Sequence, residues 1–247
     1  MSDPAPPWEE AEVVPALGVA EVHVWHIRLD AAPLAAWDIL SSDEQARARQ
    51  YRFDVHRNRF VSCRAQLRRL LGQYAGDAPE RLTFEYGPHG KPALAGATAR
   101  KSIAFNVSHA RDSALLAFTP ASQVGVDIES SLTRLDFQNL ADRFMSQGEA
   151  AHIRGAVDSA RAFYACWTRK EAWMKAIGCG LSDPLSRFDT SSTLGHMTGA
   201  VACDDFPRSV WTLHELAPEP HLLACVAVEG ANIGVRRLRP PLSRKFM

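Results

Sequence analysis

The chain has 247 residues, enough for one large domain or two smaller ones, each with its own hydrophobic core. Lys and Arg together number 28, as do Asp and Glu, so the formal net charge at pH 7 is zero. This balance excludes a general attraction to nucleic acid or membrane surfaces, and any anion binding must come from local clusters. The five cysteines form no C-x-x-C pair, which argues against a zinc site and against a complete disulfide framework.

The ends and apolar runs of the sequence bear on its compartment. No stretch approaches the roughly 20 apolar residues of a membrane-spanning helix. The first residues, MSDPAPPWEEAE, are acidic and rich in proline, whereas a signal peptide begins with a basic and then an apolar stretch. We therefore expect a cytoplasmic protein in which most cysteines are buried thiols.

Hydrophobic periodicity and turn signals predict a mixed α/β (α+β) chain. After a loose leader over residues 1–15, alternating apolar residues predict a strand over 20–29, and a Ser-Ser-Asp capping signal begins a helical region over 41–71. The later predicted elements are strands at 82–86, 102–107, 113–118 and 124–129, helices at about 134–154 and 159–177, and strands at 210–216 and 222–228. A boundary near Pro120 divides the chain into residues 1–120 and 121–247, each with helices and a small, mostly antiparallel sheet.

A pair of carboxylates stands out in the strand segment GVDIE at 125–129. In a strand, Asp127 and Glu129 point to one face, while Val126 and Ile128 point to the other and can enter a core. Two adjacent carboxylates repel each other, and oxygen ligands favour a hard cation such as magnesium. Such pairs are also common on exposed strand faces, where the acids simply face water.

A third acid lies in the predicted helix that runs through residues 163–181. Glu171 and Lys175 are four positions apart and share one face of this helix. Taken alone, this spacing is more typical of a surface ion pair worth ~0.3–0.5 kcal/mol. The Gly-Cys-Gly run at 178–180 indicates the end of the helix.

Basic residues are concentrated before position 70. Most of these arginines should lie on a solvated helix face, while one to three of them are available to bind phosphate groups. Lys91, in a Gly-Lys-Pro turn, is either another phosphate contact or an exposed turn lysine. Ser108 and His109 are neighbours at a strand end and should point apart, so they do not form a nucleophile–base pair, although both can bond a phosphate. The arginines are Arg47, Arg49, Arg52, Arg57, Arg59, Arg64, Arg68 and Arg69.

Four segments occur in an order that points to a known family. They are GKP at 90–92, FNVSH at 105–109, GVDIE at 125–129 and WTRKEAWMKAIGCGL at 167–181. Together they resemble the motifs of the surfactin-type (Sfp-type) 4'-phosphopantetheinyl transferases, and the last segment matches the family pattern throughout. The resemblance implies two similar α/β subdomains related by a pseudo-twofold, with coenzyme A held in the cleft between them.

The resemblance also implies roles for individual residues. Asp127, Glu129 and Glu171 fall on magnesium ligands, and Glu171 is also the expected general base for an incoming serine hydroxyl. Lys175 falls on a lysine that meets the pyrophosphate and assists the leaving group. The other implied contacts of coenzyme A are Ser108, His109 at the 3'-phosphate, Lys91 near the nucleotide, Arg59 at the 3'-phosphate, and one or more of Arg47, Arg49 and Arg52, which stand where relatives often have lysines.

The implied reaction is the magnesium-dependent transfer of 4'-phosphopantetheine from coenzyme A to a serine of an acyl or peptidyl carrier protein, with release of 3',5'-ADP. Two rival interpretations are a metal-dependent nucleotide phosphohydrolase, which needs no carrier, and a non-catalytic carrier-binding module, which should have lost an acid. The two-half length favours a monomer. Glu149 fits a family acid near the metal, and charge alone suggests that the carrier docks near part of the arginine run, which reversal of Arg64 and Arg68 would test.

Overall fold

The structure is a computed structural model that describes residues 6–29, 34–120, 123–132, 137–179, 185, 188–194, 196–203 and 209–241. The strands in these ranges are β1 (Glu9–Glu10), β2 (Glu21–Arg28), β3 (Phe84–Tyr86), β4 (Pro92–Leu94), β5 (Ile103–Ala110), β6 (Ser113–Pro120), β7 (Val124–Ser130), β8 (Thr198–Cys203), β9 (Ser209–Leu216), β10 (Leu222–Glu229) and β11 (Gly234–Arg239). The helices are α1 (Ser42–Arg49), α2 (Asp54–Ala75), α3 (Phe137–Phe144), α4 (Gln147–Gly155) and α5 (Ser159–Ile177). Within the described ranges, no helix has both the length and the apolar character needed to cross a membrane.

Two sheets form the centre of the molecule and share a core. The first has the strand order β1-β11-β2-β6-β5 and the second β7-β10-β9-β8, while β3 and β4 form a separate pair. Val24 and Leu115 of the first sheet join Val126 and Val226 of the second in one cluster of buried side chains. The mixed α/β class predicted from the sequence is therefore confirmed, and most strand pairs are antiparallel, as expected.

Each of the two long helices covers the outer face of one sheet. Leu67 of α2 belongs to a buried cluster with Trp25 of β2, and Trp173 of α5 belongs to a buried cluster with Cys225 of β10. Cys225 lies directly opposite Asp127 in the β7–β10 pairing, and residues opposite each other share a face of the sheet. The GVDIE strand therefore turns its valine and isoleucine into the core between the sheets and its two acids towards the side of α5.

Most predicted elements lie within a few residues of their observed positions, but two helical regions are divided. The region predicted over 41–71 consists of α1 and α2, which are separated at residues 50–53. Helix α2 continues to Ala75 and ends where Gly76 adopts a left-handed φ of 64°. The region predicted over 134–154 contains α3 and α4, and a capping box at Ser146 begins α4.

The prediction of a loose leader was wrong for its middle part. Glu9–Glu10 pair in parallel with β11, and Arg236 donates a hydrogen bond of 2.7 Å to Glu9. Neither β11 nor β4 nor β8 was predicted from the sequence. Because β11 belongs to the first sheet, the last strand of the 121–247 segment completes the sheet of the 1–120 segment.

Candidate active site

Strand β7 and helix α5 approach each other backbone to backbone at Gly125. A Cβ at this position would lie 2.0 Å from the carbonyl oxygen of Ala172 and 2.3 Å from the amide nitrogen of Ala176. Glycine is therefore the residue that allows this approach. The contact sets the acid and the lysine of α5 alongside the two acids of β7.

The side chains of Lys175, Ser108 and Asp127, from three different elements, meet at one point. Lys175 of α5 donates a hydrogen bond of 2.5 Å to Asp127 Oδ1 and another of 2.9 Å to Ser108 Oγ. Ser108 of β5 in turn donates to the same Asp127 oxygen at 3.0 Å. Asp127 is 3% exposed, and its Oδ2 atom is buried without a hydrogen-bond partner. One oxygen of this carboxylate is thus committed and the other is available to a ligand.

The remaining two acids, Glu129 and Glu171, lie close enough to Asp127 to feel its charge. Burial raises the pKa of Glu129 to about 7, and the charges of Asp127 and Glu171 add to this rise against an opposing effect of Lys175. The pKa of Glu171 is also raised, first by burial and then by Asp127. Three carboxylates therefore share one partly desolvated region, and their repulsion favours either protons or a cation there.

The donor set fits a hard divalent cation. The unpartnered Oδ2 of Asp127 is open to a cation, and burial together with repulsion from Asp127 raises the pKa values of Glu129 and Glu171. Among the described residues, however, no group of three or more His, Cys, Asp or Glu side chains is already arranged to hold a metal ion. Binding would thus require the side chains of Glu129 and Glu171 to turn towards the free oxygen of Asp127.

A group of basic side chains lies beside the acids. The ring of His109 reaches solvent, in contrast to buried Ser108, so the two neighbours point apart as predicted. The surrounding protein lowers the pKa of His109 by desolvation, and the positive charges of Lys175 and Arg59 lower it further. His109, Lys175 and Arg59 therefore lie near one another, and such a group attracts anions.

The side chain of Lys91 is not exposed in the turn but points into the protein. Its ammonium donates to the carbonyl oxygens of Val124, at 3.1 Å, and Ala176. Burial lowers the pKa of Lys91 to about 8. Helix α5 ends next to this side chain at Gly178, whose left-handed φ of 73° favours glycine. The following Gly180 and Leu181 of the same motif lie outside the described residues.

The remaining arginines that the sequence proposed as coenzyme A contacts are exposed. The guanidinium of Arg47 lies over the ring of Phe60 and that of Arg52 over the ring of Phe53. In the described part of the chain, no ion pair joins Arg47, Arg52 or Arg59 to an acid. These three cations are consequently available to an anionic ligand.

Arg64 and Arg68, the members of the arginine run chosen to test carrier docking, make structural contacts instead. Both bind the buried carboxylate of Glu44, Arg68 Nε at 2.6 Å and Arg64 Nε at 2.7 Å. Arg68 is 1% exposed and also donates to the carbonyl oxygens of Pro79 and Leu82. A buried acid at the start of α1 requires paired cations, so these arginines join α1 to α2 and do not face a partner.

Glu149 also does not serve the metal region as the resemblance implied. It is fully buried and forms an ion pair of 2.9 Å with Lys170 of α5. Its other hydrogen bonds come from the backbone and hydroxyl of Thr190 and from the backbone of Ser146. The carboxylate is thus saturated, and it ties α4 and α5 to the segment around Thr190.

Two residues near the site were missed by the sequence reasoning. Gly125 permits the contact between β7 and α5, and Asn106 accepts a hydrogen bond of 3.0 Å from the backbone N–H of Val126. Both lie inside motifs that the sequence analysis quoted. A glycine at the start of a buried strand and a buried asparagine before Ser108 were the available signals.

Comparisons with known proteins agree with this geometry. The model of the 4'-phosphopantetheinyl transferase superfamily matches residues 123–226, and the model of the N-terminal region of 4'-phosphopantetheinyl transferases matches residues 28–121. The 4'-phosphopantetheinyl transferase HetI of Nostoc sp. is 37% identical over 215 residues, which cover 85% of this chain and 88% of that protein. A phosphopantetheinyl transferase of Thraustochytrium sp. is 30% identical over 204 residues, covering 75% of this chain and 70% of that protein.

Among solved structures, the holo-[acyl-carrier-protein] synthase of Thermotoga maritima matches 43% of this chain and 62% of its own, with 13% identity. The TM-score of 0.31 is too low for that likeness to bear on the fold. The two family models and the extended similarity to HetI carry the assignment. This chain belongs to the 4'-phosphopantetheinyl transferase superfamily.

Proposed function

We propose that this protein is an Sfp-type transferase that moves the 4'-phosphopantetheine group of coenzyme A to a serine hydroxyl of an acyl or peptidyl carrier protein. One observation carries the proposal: three interacting acids lie at the junction of β5, β7 and α5, and Lys175, one of a group of basic side chains there, is bonded to Asp127. Such a junction suits a substrate that has a pyrophosphate and needs both a cation and direct basic contacts.

The acids are the proposed magnesium ligands. Asp127 would bind through its free Oδ2, and Glu129 and Glu171 would complete the set after their side chains turn inward. A bound magnesium ion would neutralise the negative charge of the pyrophosphate and of the departing 3',5'-ADP. Lys175 already occupies the other oxygen of Asp127, so the aspartate and the lysine are held in fixed relation before any ligand binds.

The basic residues are the proposed contacts of coenzyme A. Lys175, with Ser108 beside it, would bond the pyrophosphate, and His109 and Arg59 would bond the 3'-phosphate. The other proposed nucleotide contacts are Lys91, Arg47 and Arg52. Lys91 already donates to two carbonyl oxygens, and an ammonium has three donors, so one donor remains for a phosphate.

Glu171 is the proposed general base. Its pKa is raised in the direction of physiological pH, which suits a group that must accept a proton there. It would take the proton of the carrier serine as the serine oxygen bonds to the β-phosphorus of coenzyme A. The bond from that phosphorus to the bridging oxygen breaks at the same centre, and Lys175 would stabilise the charge on the oxygen that leaves with 3',5'-ADP.

A single chain supplies both the acids and the basic residues, which supports a monomeric enzyme. The boundary near Pro120 would separate the nucleotide contacts of the first half from the acids of the second. Ser108 and Asp127 meet across that boundary, so both halves are needed for the site. Sedimentation of the purified chain at micromolar concentration tests the monomer directly, and a dimer would contradict it.

The decisive experiment is a transfer assay read by intact mass. The purified protein is incubated with coenzyme A, magnesium chloride and a panel of apo-carrier proteins, with carriers whose acceptor serine is replaced by alanine as controls. We expect one phosphopantetheine group on at least one carrier, none on its alanine variant, and none after chelation of the metal. Hydrolysis of coenzyme A without any modified carrier would support a phosphohydrolase instead. If coenzyme A neither reacts nor binds, the proposed function is wrong.

A further inference from the structure

The outer edge of β7 is closed by side chains of the first half of the chain. β7 is an edge strand of the second sheet in the described residues. Val124 and Val126 are two positions apart, so their backbone groups point to the same edge. Lys91 Nζ donates to the carbonyl oxygen of Val124, and Asn106 Oδ1 accepts from the N–H of Val126 at 3.0 Å.

The hydrogen bond that Asn106 accepts lies next to the hydrogen bond between Ser108 and Asp127. Asn106 and Ser108 are two residues apart on β5, so their side chains point to one face of the strand, and both are buried at 6% exposure. Their partners, the N–H of Val126 and the carboxylate of Asp127, belong to adjacent residues of β7. These two side-chain bonds join two strands that belong to different sheets and share no backbone ladder in the described residues.

We propose that Asn106 is a positioning residue for the transfer reaction. By holding the N–H of Val126 it fixes the register of β7 against β5, and this register keeps Asp127 beside Ser108 with its second oxygen directed into the site. Asn106 itself touches neither substrate nor metal. The inference rests on the proposed role of Asp127 as a metal ligand, and it adds the group that determines where that ligand lies.

A purely structural role makes a different prediction. An asparagine that only satisfies a buried N–H should, when removed, lower stability and leave the site unchanged in the molecules that remain folded. A positioning residue should alter metal and coenzyme A binding in the folded protein as well. The two alternatives are therefore separated by binding measurements at temperatures well below unfolding.

The test compares Asn106→Leu with a matched control, Thr212→Val. Leucine has nearly the shape of asparagine but cannot accept the bond. Thr212 of β9 is 3% exposed and donates a bond of 2.6 Å to the carbonyl oxygen of Gly230, just after β10, and it is not part of the proposed site. We expect both variants to unfold at lower temperature than the wild type. Only Asn106→Leu should exchange the Val126 amide proton faster by NMR and bind Mn2+ at least tenfold more weakly by electron paramagnetic resonance.

A folded Asn106→Leu protein with unchanged Mn2+ affinity and unchanged affinity for coenzyme A would overturn the proposal. If that variant does not fold, Asn106→Ser replaces it, because its hydroxyl is too short to reach the Val126 N–H directly. It should show a smaller loss of the same kind, and unchanged Mn2+ binding would again overturn the inference. Failure of the wild type to bind Mn2+ would refute the proposed metal site instead, and the exchange rate of Val126 together with coenzyme A affinity would then decide the role of Asn106.

Discussion

Replacement of Gly125 by alanine should destabilise the protein and reduce transfer together. The added Cβ would lie 2.0 Å from the carbonyl oxygen of Ala172 and 2.9 Å from Cα of Ala176. Favourable contact begins near 3.5 Å, so α5 must withdraw from β7 by roughly 1.5 Å. Overpacking of this kind costs about 1–3 kcal/mol, and each kcal/mol lowers the midpoint of thermal unfolding by about 2–4 °C in a chain of this size.

Activity should fall by more than the loss of stability explains. The acids on β7 and on α5 must converge on one ligand, and a displacement of about 1 Å can cost on the order of 100-fold in rate. The assay compares thermal unfolding and kcat/KM of Gly125→Ala with those of Gly155→Ala in α4, where a Cβ meets nothing within 4 Å. The control should behave as wild type. A Gly125→Ala protein that is as stable and as active as the wild type would show that the close approach is not required.

Three further outcomes are expected. Glu171→Gln keeps the size of the side chain but removes the proposed base, so kcat should fall by about 10²–10⁴-fold with coenzyme A binding retained in calorimetry; near-normal turnover would remove Glu171 from that role. His109→Ala should raise KM for coenzyme A about tenfold with a smaller effect on kcat, and an unchanged KM would contradict the assigned contact. Burial lowers the pKa of His214 to about 4, so the folded protein holds this histidine in its neutral form. Its contribution to the free energy of unfolding is complete above pH 6.5, and up to about 3 kcal/mol of it is lost as pH falls towards 4. Urea unfolding from pH 7 to 4.5 should therefore be less pH-dependent in His214→Gln, and identical profiles would refute this.

The sequence was sufficient to predict the elements that carry the site. Alternation in GVDIE identified β7 and correctly separated its apolar pair from its acids, because one face of this strand enters the core between the sheets and the other carries the acids. The i, i+4 spacing correctly placed the acid and lysine of α5 on one face. These features depend on local geometry, which is why a single sequence reveals them.

Features that depend on distant residues were not predictable. β1 pairs with β11, more than 200 residues later in the chain, and its two glutamates form ion pairs with the arginines of that strand. In the same way, nothing in the sequence near Arg68 indicates that it forms a buried ion pair with Glu44. Short strands with weak intrinsic preference are decided by their partners, and so is the difference between a solvated arginine and a structural one.

The charged residues of α5 illustrate why the sequence reasoning could name the proposed catalytic pair, Glu171 and Lys175, and still overlook its support. Arg169 and Lys170 precede Glu171, yet both are buried, Arg169 paired with Glu215 and Lys170 with Glu149. Successive residues of a helix are about 100° apart, so one helix can direct two cations into the protein and the next acid into the site. The inward cations anchor α5 to the elements around it, and this anchoring holds Glu171 and Lys175 in place against β7. A buried ion pair loses several kcal/mol when one partner is removed, so Lys170→Met should lower the midpoint of thermal unfolding more than Lys175→Met, because the Lys175 side chain is 32% exposed.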